Sequence, residues 1–138
     1  MEKSEELSGF LSALIETFGT PRMGPALADA IAAEPGVLMV GTDPAEWWDD
    51  PDDVARVVQA QSKELDGATA AVTHCQGWAE GAAGWSAARA DVSFPDGSAT
   101  MLRVTAALVR RAGGWKIIQC HISVGAANEE VVGKELTV

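Results

Sequence analysis

Leu7, Phe10, Leu11, Leu14, Ile15 and Phe18 recur at steps of three and four, the spacing that gathers apolar side chains into one stripe of an α-helix. Gly19 ends that pattern. Thr20 ahead of Pro21 supplies an N-cap followed by a first-turn proline, and predicts a second short helix through Leu27, Ala30 and Ile31. Glu34, Pro35 and Gly36 stop it. Val37 to Val40 is a brief apolar run with β-branched ends between two glycines, which predicts a strand. The segment GTDPAEWWDDPDD reads as a loop. At its end Asp50 precedes Pro51, and Asp52 and Asp53 fall in the first turn of a third helix, where a side-chain cap and the helix dipole both favour acid. Val54, Val57, Val58, Gln61 and Leu65 form its inward stripe, and Gly67 closes it.

From Thr69 onward the period changes to two. Thr69 to Trp78, Trp85 to Phe94, Thr100 to Arg111 and Trp115 to Val124 are strand-length, and glycine-containing turns join them, so they predict an antiparallel meander. Alternation assigns one apolar face to Ala88, Ala90, Val92 and Phe94, then Leu102, Val104, Ala106 and Leu108, then Ile118, Cys120, Ile122 and Val124. The helices belong on that face. The opposite face carries Trp85, Arg89 and Asp91, then Arg103, Thr105 and Val109, then Ile117, Gln119, His121 and Ser123. A mixed face of this kind is solvated or pressed against a partner; the economical reading is a homodimer interface of Trp85, Arg89, Arg103, Gln119, His121 and Ser123. The tail from Ala126 to Val138 is a terminal strand or a flap.

Composition narrows the classes. At 138 residues, 47% hydrophobic and 22% charged, the chain fits one domain spanning 1–138 with a core that needs no disulfide or metal. Twenty acidic against ten basic residues give a net charge of −10, which repels phosphate backbones and anionic lipid surfaces. No nucleic acid and no membrane are expected as partners. The acidic start MEKSEEL and the absence of a long apolar run predict a soluble, cytoplasmic protein. Cys75 and Cys120 read as buried thiols, and their spacing with His74 and His121 preorganises no zinc site, so neither metal nor cofactor is expected.

Helices first, one short strand, a capped helix and then a long curled meander is an order that resembles the cone-shaped α+β fold of the nuclear transport factor 2-like superfamily. GTDPAEWW, EGAAGW, LRVTAALVRRAGGWKI and QCHISVG look like segments of SnoaL-like domains within it. That superfamily holds ketosteroid isomerase, polyketide cyclases, dehydratases and epoxide hydrolases beside many non-catalytic binding modules, so the resemblance implies a fold and leaves the reaction open.

The resemblance draws attention to Asp43, because ketosteroid isomerase places its general base in an Asp-Pro pair at a similar point and Asp43 precedes Pro44. A carboxylate at an apolar pocket can shuttle protons; equally, Asp43 can begin an Asx turn. The isomerase's tyrosine donors have no counterpart, since the chain contains no tyrosine, and MLRVTAALV carries no second acid, so steroid isomerisation is not implied. His121, with Ser123 two residues on, is the second candidate; without an aligned acid it forms no triad, and a hydrogen-bonded histidine at a dimer interface explains it equally. Arg89, Asp91 and Arg103 resemble a set used by the epoxide hydrolase branch, but on this face they read as ion pairs. Trp47, Trp48, Leu102, Val104, Ala106, Cys120 and Ile122 are the expected pocket lining. They suit a small hydrophobic or aromatic ligand, with acid–base chemistry through Asp43 as the catalytic version and a dimeric binding or accessory domain as the alternative.

Overall fold

The computed structural model describes residues 1–138. A two-residue edge strand, β1 (Glu2–Lys3), leads into α1 (Glu5–Ile15). Ser4 caps α1, its Oγ accepting the Leu7 N–H at 3.2 Å. Leu7, Leu11, Leu14 and Ile15 are buried, as the three-four spacing requires. The next helix, α2 (Met23–Ala30), begins later than the Thr20-Pro21 pair predicts. Arg22 is its N-cap and makes no side-chain cap bond, because the Thr20 hydroxyl is engaged one step earlier: it accepts the Arg22 N–H at 3.2 Å and donates to the Thr17 carbonyl at 2.7 Å. Thr20 and Pro21 therefore form a turn between the helices.

β2 (Leu38–Val40) is followed by β3 (Trp47–Trp48), which pairs with it antiparallel. The segment read as a loop is thus a small hairpin. α3 (Pro51–Glu64) starts as expected, with Asp50 Oδ1 accepting the N–H groups of Asp52 at 2.9 Å and Asp53 at 3.2 Å. The meander follows as β4 (Thr69–Glu80), β5 (Ala83–Ser93), β6 (Ala99–Arg111) and β7 (Gly114–Val124). The sheet order is β1-β4-β5-β6-β7-β2-β3, antiparallel except where β2 runs parallel to β7. The tail forms a short helix, α4 (Asn128–Val132), rather than a strand, and Val131 and Val132 on it are exposed.

Two β-bulges bend the sheet and change its faces. In β4 the register shifts between Val72 and His74, so Thr73 is the extra residue. In β7 Ala107 pairs with Gln119 while Leu108 pairs with Ile117, leaving Ile118 as the extra residue. Simple alternation therefore fails for the first half of β7. Ile117 is 2% exposed and Trp115 is buried on the helix side, whereas Ile118 is only half-buried. Beyond the bulge Cys120 and Ile122 recover the expected inward parity. The bulge in β4 likewise puts Cys75 inward and His74 outward, beside Arg89.

The core is a cluster of 17 buried residues between the helices and the inner sheet face. α1 lies directly on β4: a Cβ at Gly77 would stand 2.7 Å from the Ser8 nitrogen, 2.8 Å from Leu7 Cβ and 2.9 Å from the Ser4 carbonyl oxygen. Only a residue without a side chain lets helix and sheet meet this closely. The arginines at the β6–β7 turn are partnered. Arg110 lies 4.6 Å over the Trp115 ring and reaches Glu6, and Arg111 pairs with Glu34. The Arg111 hydrogen bond holds the Glu34 carboxyl below its ordinary pKa.

Candidate functional site

The sheet curls over α3 and leaves a cavity of 310 Å³ between them, with twelve of its eighteen lining residues hydrophobic. Each wall follows from a pattern in the chain. Val54, Val57, Val58 and Leu65 come from the inward stripe of α3, Leu102 and Ile122 from the concave sheet face, and Met39 and Trp48 from the β2–β3 hairpin. A second hollow of 100 Å³ lies deeper, under α1 and α2, and shares Phe18, Met39, Val58, Gln61, Leu65 and Ile122 with the first.

The expected pocket residues divide. Trp48, Leu102 and Ile122 line the larger cavity. Val104 and Cys120 line the deeper hollow, together with Ile122. Ala106 is buried at 2% exposure in the core and lines neither. Trp47 is 62% exposed; successive residues of a strand face opposite ways, so β3 presents one tryptophan to the cavity and the other to solvent. Cys120 is buried, and burial pushes its thiol pKa up to about 12, which disfavours the reactive thiolate. Burial also raises that of Cys75, whose Sγ donates to the Ser8 carbonyl at 3.2 Å.

Asp43 stands outside the cavity lining. Its Oδ1 accepts the Ala45 N–H at 2.8 Å in the turn of the β2–β3 hairpin, and the residue is exposed. Glu46, not Asp43, is the hairpin carboxylate on the cavity wall. One of its oxygens, Oε1, accepts the Asp43 backbone N–H at 3.0 Å, and Oε2 accepts Nε2 of Gln61 at 3.0 Å. This pair joins the hairpin to α3 on the cavity wall, where Thr42, Glu64 and Thr100 are the other polar lining residues. Gly41 makes the arrangement possible, since a Cβ there would collide with the Glu46 carboxylate. Sequence reasoning missed Glu46, which sits inconspicuously before the two tryptophans. Gln61 did carry a signal, as the one polar member of the α3 stripe.

His121 is exposed on the outer sheet face, in register with Thr105 and Val40, and does not reach the cavity. Ser123 accepts a hydrogen bond from Arg103 Nε at 3.2 Å. Arg89 pairs in register with Arg103. At the far end of the same face Trp78 and Trp85 stack with ring centroids 6.4 Å apart. His74 and His121 are thus outward and Cys75 and Cys120 inward, so the four cannot converge on one ion.

This architecture, helices capping the concave side of a curved sheet around an apolar cavity, is that of the nuclear transport factor 2-like, or cystatin-like, cone fold. The solved structures it resembles bear this out at the level of fold. A nuclear transport factor 2-like protein of unknown function from Pseudomonas putida KT2440 superposes with a TM-score of 0.76 at 15% identity, covering 95% of this chain and 91% of that one. A protein of unknown function with a cystatin-like fold from Nostoc punctiforme gives 0.70 at 13% identity, with 91% and 96% covered. A nuclear transport factor 2 superfamily protein from Salmonella enterica serovar Typhimurium gives 0.67 at 14% identity, with 88% and 90% covered. No curated protein matches the sequence. The SnoaL-like domain family matches residues 22–127, and the chain belongs to that family. No helix is long and apolar enough to cross a membrane.

Proposed function

We propose that the protein binds a small, largely apolar molecule in the cavity between α3 and the sheet, and does so as a cytoplasmic homodimer. The observation that carries the reading is the cavity itself: 310 Å³, mostly hydrophobic, with one hydrogen-bonded polar pair in its wall. That combination is the usual form of a small-molecule site. Two free thiols suit a reducing compartment.

The dimer uses the outer sheet face, with Trp85, Arg89, Arg103, Gln119, His121 and Ser123. Its support is the half-buried Trp78–Trp85 stack beside the small residues Ala87 and Ala107, which leave a flat surface for a second sheet.

Titration with the neutral fluorophore N-phenyl-1-naphthylamine tests the binding reading. Saturable enhancement is expected, and Leu102→Trp, which fills the cavity, should remove it while circular dichroism stays native. No saturation, or saturation unaffected by a folded Leu102→Trp, overturns the reading. Light scattering tests the dimer, and a monomer at micromolar concentration excludes it.

A further inference from the structure

We infer that the ligand carries a hydrogen-bond-donating, positively charged head, a protonated amine on an apolar body, and that Glu46 and Gln61 select it. This rests on the binding reading above and names the class of molecule bound. The charged groups on the cavity wall are of one sign. Glu46 and Glu64 are carboxylates, and no lysine, arginine or histidine lines the cavity. Each Glu46 oxygen holds one N–H and keeps a lone pair; one of the two Gln61 Nε2 hydrogens goes to Glu46, and the side-chain carbonyl oxygen of Gln61 has no partner within the protein. The lining therefore presents acceptors and negative charge, and its donors, the Thr42 and Thr100 hydroxyls, the Trp48 indole N–H and the second Gln61 N–H, carry no charge. A carboxylate ligand would meet like charge with no cation to receive it, inside a chain of net charge −10. An ammonium meets the free lone pairs of Glu46 and the Gln61 carbonyl, a charge-assisted contact at the edge of an apolar volume.

Gly41 belongs to this device as a positioning residue. The carboxylate lies against its Cα, where any side chain would displace it. Glu46 thus faces the cavity through two fixed partners and one empty space.

Octylamine, 1-octanol and octanoate share one apolar body and differ in the head. Each would be titrated as a competitor of N-phenyl-1-naphthylamine at pH 7 in about 0.15 M salt, which screens diffuse attraction to the acidic surface. Octylamine should bind roughly ten- to a hundredfold more tightly than octanol, the scale of a charge-assisted hydrogen bond, and octanoate should be weakest. Glu46→Gln should lower octylamine to the level of octanol. Gly41→Ala should do the same with the carboxylate still present. Equal affinities across the series, octanoate tightest, or an amine preference that survives Glu46→Gln would each overturn the inference. If the fluorophore binds and the series is flat, only the head-group assignment fails; if nothing binds, the cavity reading fails with it.

Discussion

Gly77→Ala and Gly9→Ala add the same methyl group to two glycines that the fold treats in opposite ways. Gly77 is buried where α1 rests on β4, and an added Cβ there has three heavy atoms of Ser4, Leu7 and Ser8 within 3 Å, two of them backbone. Backbone cannot swing aside as the end of a side chain can. Overpacking of this kind costs about 1–3 kcal/mol, and relief of the glycine's unfolded-state entropy returns about 0.5–1 kcal/mol. The net loss is about 1–2 kcal/mol. Gly9 lies on the exposed side of α1 with nothing within 4 Å of the added carbon, so alanine contributes its full helix preference, about 1 kcal/mol. Unfolding entropy of about 2.1 cal/mol/K per residue over 138 residues converts 1 kcal/mol into a shift of about 3–4 °C. Differential scanning calorimetry should therefore show Gly77→Ala melting about 3–7 °C below the parent and Gly9→Ala about 3 °C above it. Shifts of the same sign and size would refute the claim that direct contact with α1 is what makes Gly77 obligatory.

Three further outcomes are expected. The β7 bulge makes Ile117→Ala the costly substitution, about 2–4 kcal/mol for a fully buried isoleucine, and Ile118→Ala the milder one; urea unfolding that reverses this order would show that β7 runs without a bulge. Asp50→Ala removes both N-cap bonds of α3 and should lower stability by about 1 kcal/mol, read from the same unfolding curves, while Asp43→Ala should leave fluorophore binding within twofold or so. For Cys120 the folded pKa of about 12 lies above the ordinary 9.0, so the unfolded chain loses its proton first. Stability should fall as pH rises from about 9 towards 12, and Cys120→Ser should flatten that slope. In the native protein Cys120 should also resist alkylation at pH 8 until denaturant is added.

The helices and the meander were legible because their signals are local. The stripe of Leu7, Leu11 and Leu14 and the cap at Asp50 need only neighbours a few residues away, and both stand as read. The candidate site was legible in its apolar half. Trp48, Leu102 and Ile122 follow from strand parity and face the cavity. Its polar half was not, because Glu46 and Gln61 are 15 residues apart and meet only when the hairpin folds back over α3. Asp43 attracted attention through its proline, yet that same local context commits its carboxylate to the Ala45 N–H.

Periodicity and caps, which are properties of adjacent residues, thus determined the order of elements, the helix faces and most of the sheet face that the helices cover. Tertiary structure decided where that periodicity breaks and which polar side chain reaches the cavity. Ile118 is left unpaired where β7 lies between β6 and the parallel strand β2, a junction no single strand contains. Glu46 faces the cavity because Gly41, five positions earlier, leaves room for its carboxylate, and a vacancy of that kind exists only once the chain has packed.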